Sequence, residues 1–385
     1  MTTKLSLHWR PTHLDGADQT IIGRWRPNSA KIINANSDHV RMLKQSSPGT
    51  LVVLRDHPLS EQHDNMMHDP AATGEYHAAR MVEIAQSVGA NPANTILLGI
   101  NEPHVWEEGG ITATVVYTCE FLDTLSTLGW YGGALNLSVG WPANKGYNTP
   151  PDWAPFEPVY HAIRRGGHAL VLHEYWAKEG PQRNWGWWAG RYTKCMWDVP
   201  IIIGECGVDQ YVNGPTSAES RGWASHMNAE QYFEQLGWYD AQLSLDDRVQ
   251  SAEIFCYDYD APWQTFDIRQ VREQWLAWVQ MRGRGDPVRA TEDAWSFHED
   301  EGEFPAEPVE PDYDAVKEAI REAAWNAVGI PYNPEAALAR HAREMGLGVP
   351  MSVEFDFDGY RAQGFSRGIV CCKIGDWENV YNMEW

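Results

Sequence analysis

The sequence predicts an α/β fold, a (β/α)8 (TIM) barrel followed by a small α+β module, and three observations carry that prediction. Eight short apolar segments recur along the chain, stretches long enough for a helix separate them, and polar or aromatic residues collect where each segment runs out. At 385 residues the chain exceeds the roughly 250 that such a barrel needs, which leaves room for an appendage.

The predicted strands are 4–9 (KLSLHW), 31–36 (KIINAN), 50–55 (TLVVLR), 95–101 (TILLGIN), 134–139 (ALNLSV), 169–175 (ALVLHEY), 199–205 (VPIIIGE) and 251–257 (SAEIFCY). Most are continuous apolar runs, as parallel strands covered on both faces require. Crossover helices are expected at 74–89, 113–128 and 156–166, with 268–281 closing the ring, so that strand, helix, strand repeats eight times. In the first, Met81, Ile84 and Val88 recur at helical spacing and Gly89 supplies a stop.

These elements place the barrel at 1–284. Residues 285–313 are acidic, carry prolines and lack periodicity, and read as a linker. A module at 314–385 follows. Val316, Ile320 and Ala324 share a helix face, Asn333 and Pro334 read as the cap and first turn of a second helix, and 350–385 reads as short β-strands.

Composition excludes several classes. Net charge is -23, which repels phosphate backbones and anionic membrane surfaces, so no nucleic acid partner is expected. No apolar run approaches the roughly 20 residues of a membrane span, and the start MTTKLSLHWRP lacks a signal-peptide pattern. The six cysteines show no CxxC pairing and read as free thiols rather than a disulfide scaffold.

The strand ends gather Trp9-Arg10, Asn36, Arg55-Asp56-His57, Asn101-Glu102, Trp141, His173 to Trp176, Glu205 and Asp258 to Asp260 on the face where barrels place their chemistry. Twenty tryptophans, many in loop-like stretches, suit flat, partly apolar ligands such as pyranose rings, the alternative being that they pack beneath loops. The fourth strand ends in Asn101-Glu102-Pro103 and the seventh in Gly204-Glu205-Cys206-Gly207. A glycosidic bond is cleaved with retention by two carboxyl groups about 5 to 5.5 Å apart, one protonated and one ionised. Ionised Glu205 needs a donor such as Tyr175 or Arg55, and a neighbouring carboxylate would raise the pKa of Glu102.

The pattern resembles the clan of retaining barrel glycosidases that carry the acid/base in an Asn-Glu-Pro motif after strand four and the nucleophilic Glu at the end of strand seven. The resemblance implies that Glu102 is the acid/base, Glu205 the nucleophile, and Asn101 a ligand of the sugar 2-hydroxyl. His173-Glu174-Tyr175 reproduces the His and Tyr of strand six in the cellulase- and mannanase-like members, both facing inward because residues two apart share a strand face. By the same resemblance Trp263 is the aromatic platform beneath the sugar. Arg55, His57, Trp9, Trp141, Trp176 and Trp187, with Trp185 and Trp188, are expected to line further subsites. The implied activity is hydrolysis of a β-linked polysaccharide or oligosaccharide without a cofactor.

His57, His63, Asp64, His68 and Asp69 include zinc-binding residue types, but the spacing is no recognised ligand set, and no metal is expected. Residues 346–370 resemble the LGFP-type repeats of some cell-wall enzymes through Leu347-Gly348, Pro350, Glu354, Phe365 and Gly368. That implies contact with a cell-envelope glycan, and action outside the cell or at the envelope. The competing readings are a lytic glycosidase of phage or bacterial origin acting on a peptidoglycan-type envelope glycan, a C-terminal module that only caps the barrel helices, a non-catalytic glycan-binding barrel, and a metal-dependent hydrolase built on the His57 loop.

Overall fold

A computed structural model of the chain describes residues 3–10, 15–143, 150–213, 217–259, 262–282, 333, 336–347, 349–357 and 359–384. The chain divides into two compact units, Met1–His298 and Glu299–Trp385. The linker predicted at 285–313 and the helix predicted at 314–328 lie outside the described residues.

The first unit is a closed parallel barrel of eight strands in sequential order. They are β1 Leu5–Trp9, β2 Ser29–Ile33, β3 Leu51–Arg55, β4 Thr95–Leu98, β5 Tyr131–Leu137, β6 Ala169–Trp176, β7 Ile201–Val208 and β8 Val249–Tyr257. Helices Gly16–Trp25, Ser37–Ser46, Pro70–Ser87, Gly110–Thr127, Glu157–Gly166, Ala229–Leu243 and Arg272–Arg282 surround it. Their starts follow local chemistry. Asp15 and Asp18 form a reciprocal capping box at Gly16–Trp25, and Asp69 caps a helix whose first residue is Pro70. The predicted strand 31–36 instead stops at Ile33, because Asn34 turns to φ 51° and Asn36 caps Ser37–Ser46.

One predicted crossover helix is absent. Between β6 and β7, residues 177–200 form only short 3-10 turns, Pro181–Asn184 and Arg191–Lys194. Gly180, Gly186 and Gly190 all take positive φ there, and no apolar stripe of helical period runs through the segment.

Side chains alternate between the helix layer and the lumen. Leu5, Leu7 and Trp9 on β1, Ala30 and Ile32 on β2, and Ile201 and Ile203 on β7 join the main core between sheet and helices. The lumen holds a separate apolar cluster of Leu51, Val53, Ile96, Leu98, Ala169, Val171 and Ile202. Polar residues, Ser6, His8, Ser29, Lys31, Arg55, Glu253, fall on the lumen phase of β1, β2, β3 and β8, and all are buried.

In the second unit, helix Ala337–Glu344 packs Leu338, Ala339 and Ala342 against Phe365, Val370 and Cys372 of an antiparallel sheet ordered β12-β11-β10-β9. Its strands are β9 Phe355–Phe357, β10 Tyr360–Phe365, β11 Gly368–Lys373 and β12 Val380–Glu384. The helix starts after Ala336 rather than at Asn333. The Asn333 carbonyl accepts from Ala336 N at 3.1 Å, closing a turn, and Ala336 itself is extended. All six cysteines are free. Among the described residues no helix is long and apolar enough to cross a membrane.

Candidate active site

At the C-terminal ends of the strands a cavity of about 710 Å³ is lined by Arg55, His57, Asn101, Glu102, Tyr175, Glu205 and Trp263 among others. Glu205 reaches it through an irregularity in β7. Leu172 pairs with Ile203 but His173 pairs with Glu205, so β7 carries one extra residue, Gly204. Strict alternation would send Glu205 outward with Ile203; the bulge puts Gly204 and Glu205 both on the lumen side. Glycine is required because a Cβ at 204 would lie 2.7 Å from Val171 Cγ1.

Glu205 is enclosed by donors. Tyr175 donates its hydroxyl to Oε2 at 2.8 Å, and Lys31 donates to Oε1 at 3.0 Å. His8 Nε2 lies 3.4 Å and Arg55 Nη1 3.6 Å from Oε1, with His173 Nδ1 3.5 Å from Oε2. Burial pushes the carboxyl up, but the charges of His173 and Lys31 and the contact with His8 outweigh it and hold Glu205 well below the usual carboxylate range. Burial and the adjacent carboxylate push Tyr175 well above its ordinary value, so it stays a phenol and donates.

Glu102 is more open, its side chain 37% exposed against 9% for Glu205. Its Oε1 is 2.8 Å from His173 Nδ1, and His173 Nε2 is 3.0 Å from Asn136 Oδ1. Asn136 donates through Nδ2 to Asn101 Oδ1 at 3.0 Å, which fixes its amide and makes His173 Nε2 a donor. Glu102 and Asn136 sit at φ 47° and 45°, left-handed conformations uncommon for residues with a Cβ, and Glu102 N donates to Asn136 O at 3.1 Å. One atom each of Glu102, His173 and Glu205 lie within 4.8 Å of one another.

By residue type those three could hold a divalent ion. Lys31 and Arg55 already place two cations against Glu205, which disfavours a third positive charge there.

The remaining predicted residues divide. His57 lines the cavity beside Glu61, its Nδ1 3.4 Å from Glu61 Oε1. Trp263 lines it too, with the Arg221 guanidinium 5.4 Å from its ring centroid, and Trp188 rather than Trp187 faces it from the β6–β7 loop. His173 is buried beneath the cavity. Trp9 and Trp176 are corrections: both are fully buried in the helix-facing core, one residue out of phase with the inward His8 and Tyr175. Trp141 also packs against that core, and Trp187 is solvent-exposed without lining the cavity. His63 stacks on His104 with ring centroids 4.0 Å apart.

Sequence reading missed His8, Lys31 and Asn136, and the cavity residues Trp106, Asp209 and Arg221. The signal for Lys31 was a lysine inside a short strand among Ala30, Ile32 and Ile33, since lysine is almost never fully buried unless paired.

No family model matches the sequence, and comparison with curated proteins gives no match. Among solved structures the chain is similar to a GH128 subgroup I endo-β-1,3-glucanase from Amycolatopsis mediterranei, at 15% identity and TM-score 0.38 over 69% of this chain and 92% of that one. It is similar to a β-1,3-glucanosyltransferase mutant from Rhizomucor miehei at 12% identity and TM-score 0.42, covering 69% and 92%. A β-glucuronidase from Faecalibacterium prausnitzii gives 13% identity and TM-score 0.46, covering 74% of this chain and 50% of that one. The chain thus spans about half the length of that β-glucuronidase.

Proposed function

We propose that the chain is a retaining glycoside hydrolase that cleaves a β-linked polysaccharide or oligosaccharide by double displacement, with Glu205 as nucleophile and Glu102 as acid/base. The observation that carries it is the pair of carboxyl groups, from strand ends across the barrel, whose nearest oxygens fall within 4.8 Å. A separation of that order is nearer the roughly 5 to 5.5 Å of retaining enzymes than the roughly 6.5 to 9.5 Å of inverting ones.

The environments suit the two roles. Buried Glu205, held ionised, attacks the anomeric carbon while Glu102, linked to His173, protonates the leaving oxygen. Glu102 then takes a proton from the water that hydrolyses the glycosyl ester on Glu205. Asn101 is positioned by Asn136 to meet the sugar 2-hydroxyl, and Trp263 and Trp188 offer aromatic faces. A pure glycan binder has no use for a buried carboxylate held by Lys31 and Tyr175 beside a second carboxyl group.

The test is a panel of β-glycans with NMR of the first-formed anomer. The β-anomer is expected from a β-linked substrate; the α-anomer would exclude double displacement. Unchanged turnover in excess chelator is expected, and its loss would favour metal-dependent chemistry.

A further inference from the structure

We propose that Lys31, rising from the barrel floor on β2, is the positioning residue of the nucleophile, fixing the Glu205 carboxyl and the backbone that presents it through one ammonium group. This rests on the glycosidase reading and adds a residue that the motif resemblance does not assign.

The geometry is a two-point hold. Lys31 Nζ donates to Glu205 Oε1 at 3.0 Å and to the Gly204 carbonyl at 3.0 Å. Gly204 is the extra residue of the β7 bulge, so Lys31 ties down the one backbone irregularity that turns Glu205 inward. Lys31 is 0% exposed, and burial as the leading cause lowers its pKa, opposed by the Glu205 carboxylate. Buried ammonium and carboxylate each leave the other uncompensated when one is removed.

Other groups around Glu205 have other tasks. His8 on β1 is pushed down to about 3, by burial first and Lys31 second, and so is neutral. Arg55 on β3 donates to Glu61 at 2.6 Å and Ser60 at 2.9 Å. Tyr175 and His173 on β6 approach Oε2, with Glu102 behind His173. Tyr259 after β8 is a half-buried phenol whose pKa desolvation raises, and Asp209 after β7 is paired to Arg221. Glu253 on β8 accepts from Ser29 Oγ at 2.9 Å, and burial pushes it up to about 8. At neutral pH it is therefore an uncharged acid, and Lys31 has Glu205 as its counterion.

The experiment uses the full chain and Lys31→Met, which keeps the stem and removes the ammonium. The acid limb of kcat/KM should move up by about one pH unit or more, since one unit is a tenfold change in the proton equilibrium. kcat should fall at least about tenfold, with KM changed much less, because the lost contact acts on the nucleophile and not on the bound sugar. The Glu205 carboxyl signal, assigned by its absence in Glu205→Gln, should titrate at higher pH in Lys31→Met by 13C NMR. An acid limb and a Glu205 titration that stay where they are would overturn the proposal.

Should Lys31→Met not fold, the ζ-15N titration of Lys31 in the native chain and in Glu205→Gln decides, because coupling between two sites is reciprocal. Lys31 is expected to lose its proton at lower pH in Glu205→Gln, and identical titrations would refute the pairing. A native chain inert toward every glycan removes the glycosidase reading and leaves the NMR outcome standing. Native activity with an unmoved acid limb removes Lys31 alone.

Discussion

Glu205 shows how one nearly buried carboxyl is kept charged at the edge of a cavity. Burial works against its ionisation, and His173, Lys31 and His8 reverse the sign. Glu205→Ala should lower turnover roughly 10³-fold or more, with partial rescue by azide on an activated substrate giving the inverted product. Glu102→Gln should lower it comparably on substrates with poor leaving groups and much less on those with good ones; near-native rates on both would remove the assignment. Gly204→Ala places a Cβ 2.7 Å from Val171, which should cost about 1–3 kcal/mol in denaturant melts and turn the nucleophile from its donors. Glu102 and Glu205 were legible as strand-end residues and His173 and Tyr175 by strand parity; the Gly204 bulge that turns Glu205 inward was not legible, because parity alone sends that residue outward. Trp9 and Trp176 were misread because an indole at a strand end points to the cavity or the core according to the phase of alternation, which composition does not reveal. Asn136 was illegible because it faces its partners only through a left-handed turn in β5.

Among the elements, the connection from β6 to β7 departs most from a regular barrel. Where a crossover helix was expected, the loop is anchored instead by Glu174, which points outward between the inward His173 and Tyr175. Its carboxyl accepts from Gly190 N at 2.7 Å, Tyr192 N at 3.1 Å and the Tyr239 hydroxyl at 2.6 Å. Trp185 fills the remaining space against Trp238 and Tyr239, and the loop then presents Trp188 to the cavity. The eight strands were readable from apolar runs, and 183–188 as a tryptophan-bearing loop; what orders that loop was not, since it is one buried acid and the packed tryptophans rather than any periodicity. Glu174→Ala leaves two buried N–H groups unpartnered and should cost about 3 kcal/mol. Hydrogen exchange should quicken across 185–195 and KM should rise. Trp188→Ala should raise KM about tenfold with a smaller effect on kcat, as loss of a stacking face predicts; an unchanged KM would detach Trp188 from substrate binding.

At the scale of the whole molecule, the lumen polarity makes stability depend on pH. The folded pKa of Glu253, about 8, stands above its ordinary 4.5 because of burial. Its contribution is complete below pH 4.5 and is lost as pH rises through 8. His77 and His168, pushed down to about 4 mainly by burial, act oppositely, losing their contribution as pH falls from 6.5 through 4. Above pH 6.5 only the carboxyl effect remains of these, at about 1 kcal/mol per pH unit. Thermal melts should therefore decline between pH 6.5 and 8, and Glu253→Gln should flatten that decline; a variant that declines equally would assign it elsewhere. Below the charged floor, the cluster of Leu51, Val53, Ile96, Leu98, Ala169, Val171 and Ile202 stoppers the barrel. Among the described residues the lumen is thus closed beneath the cavity. A sugar held there by its ester would shed its departing half toward the C-terminal ends of the strands, and the hydrolytic water would fill the space which that half gives up.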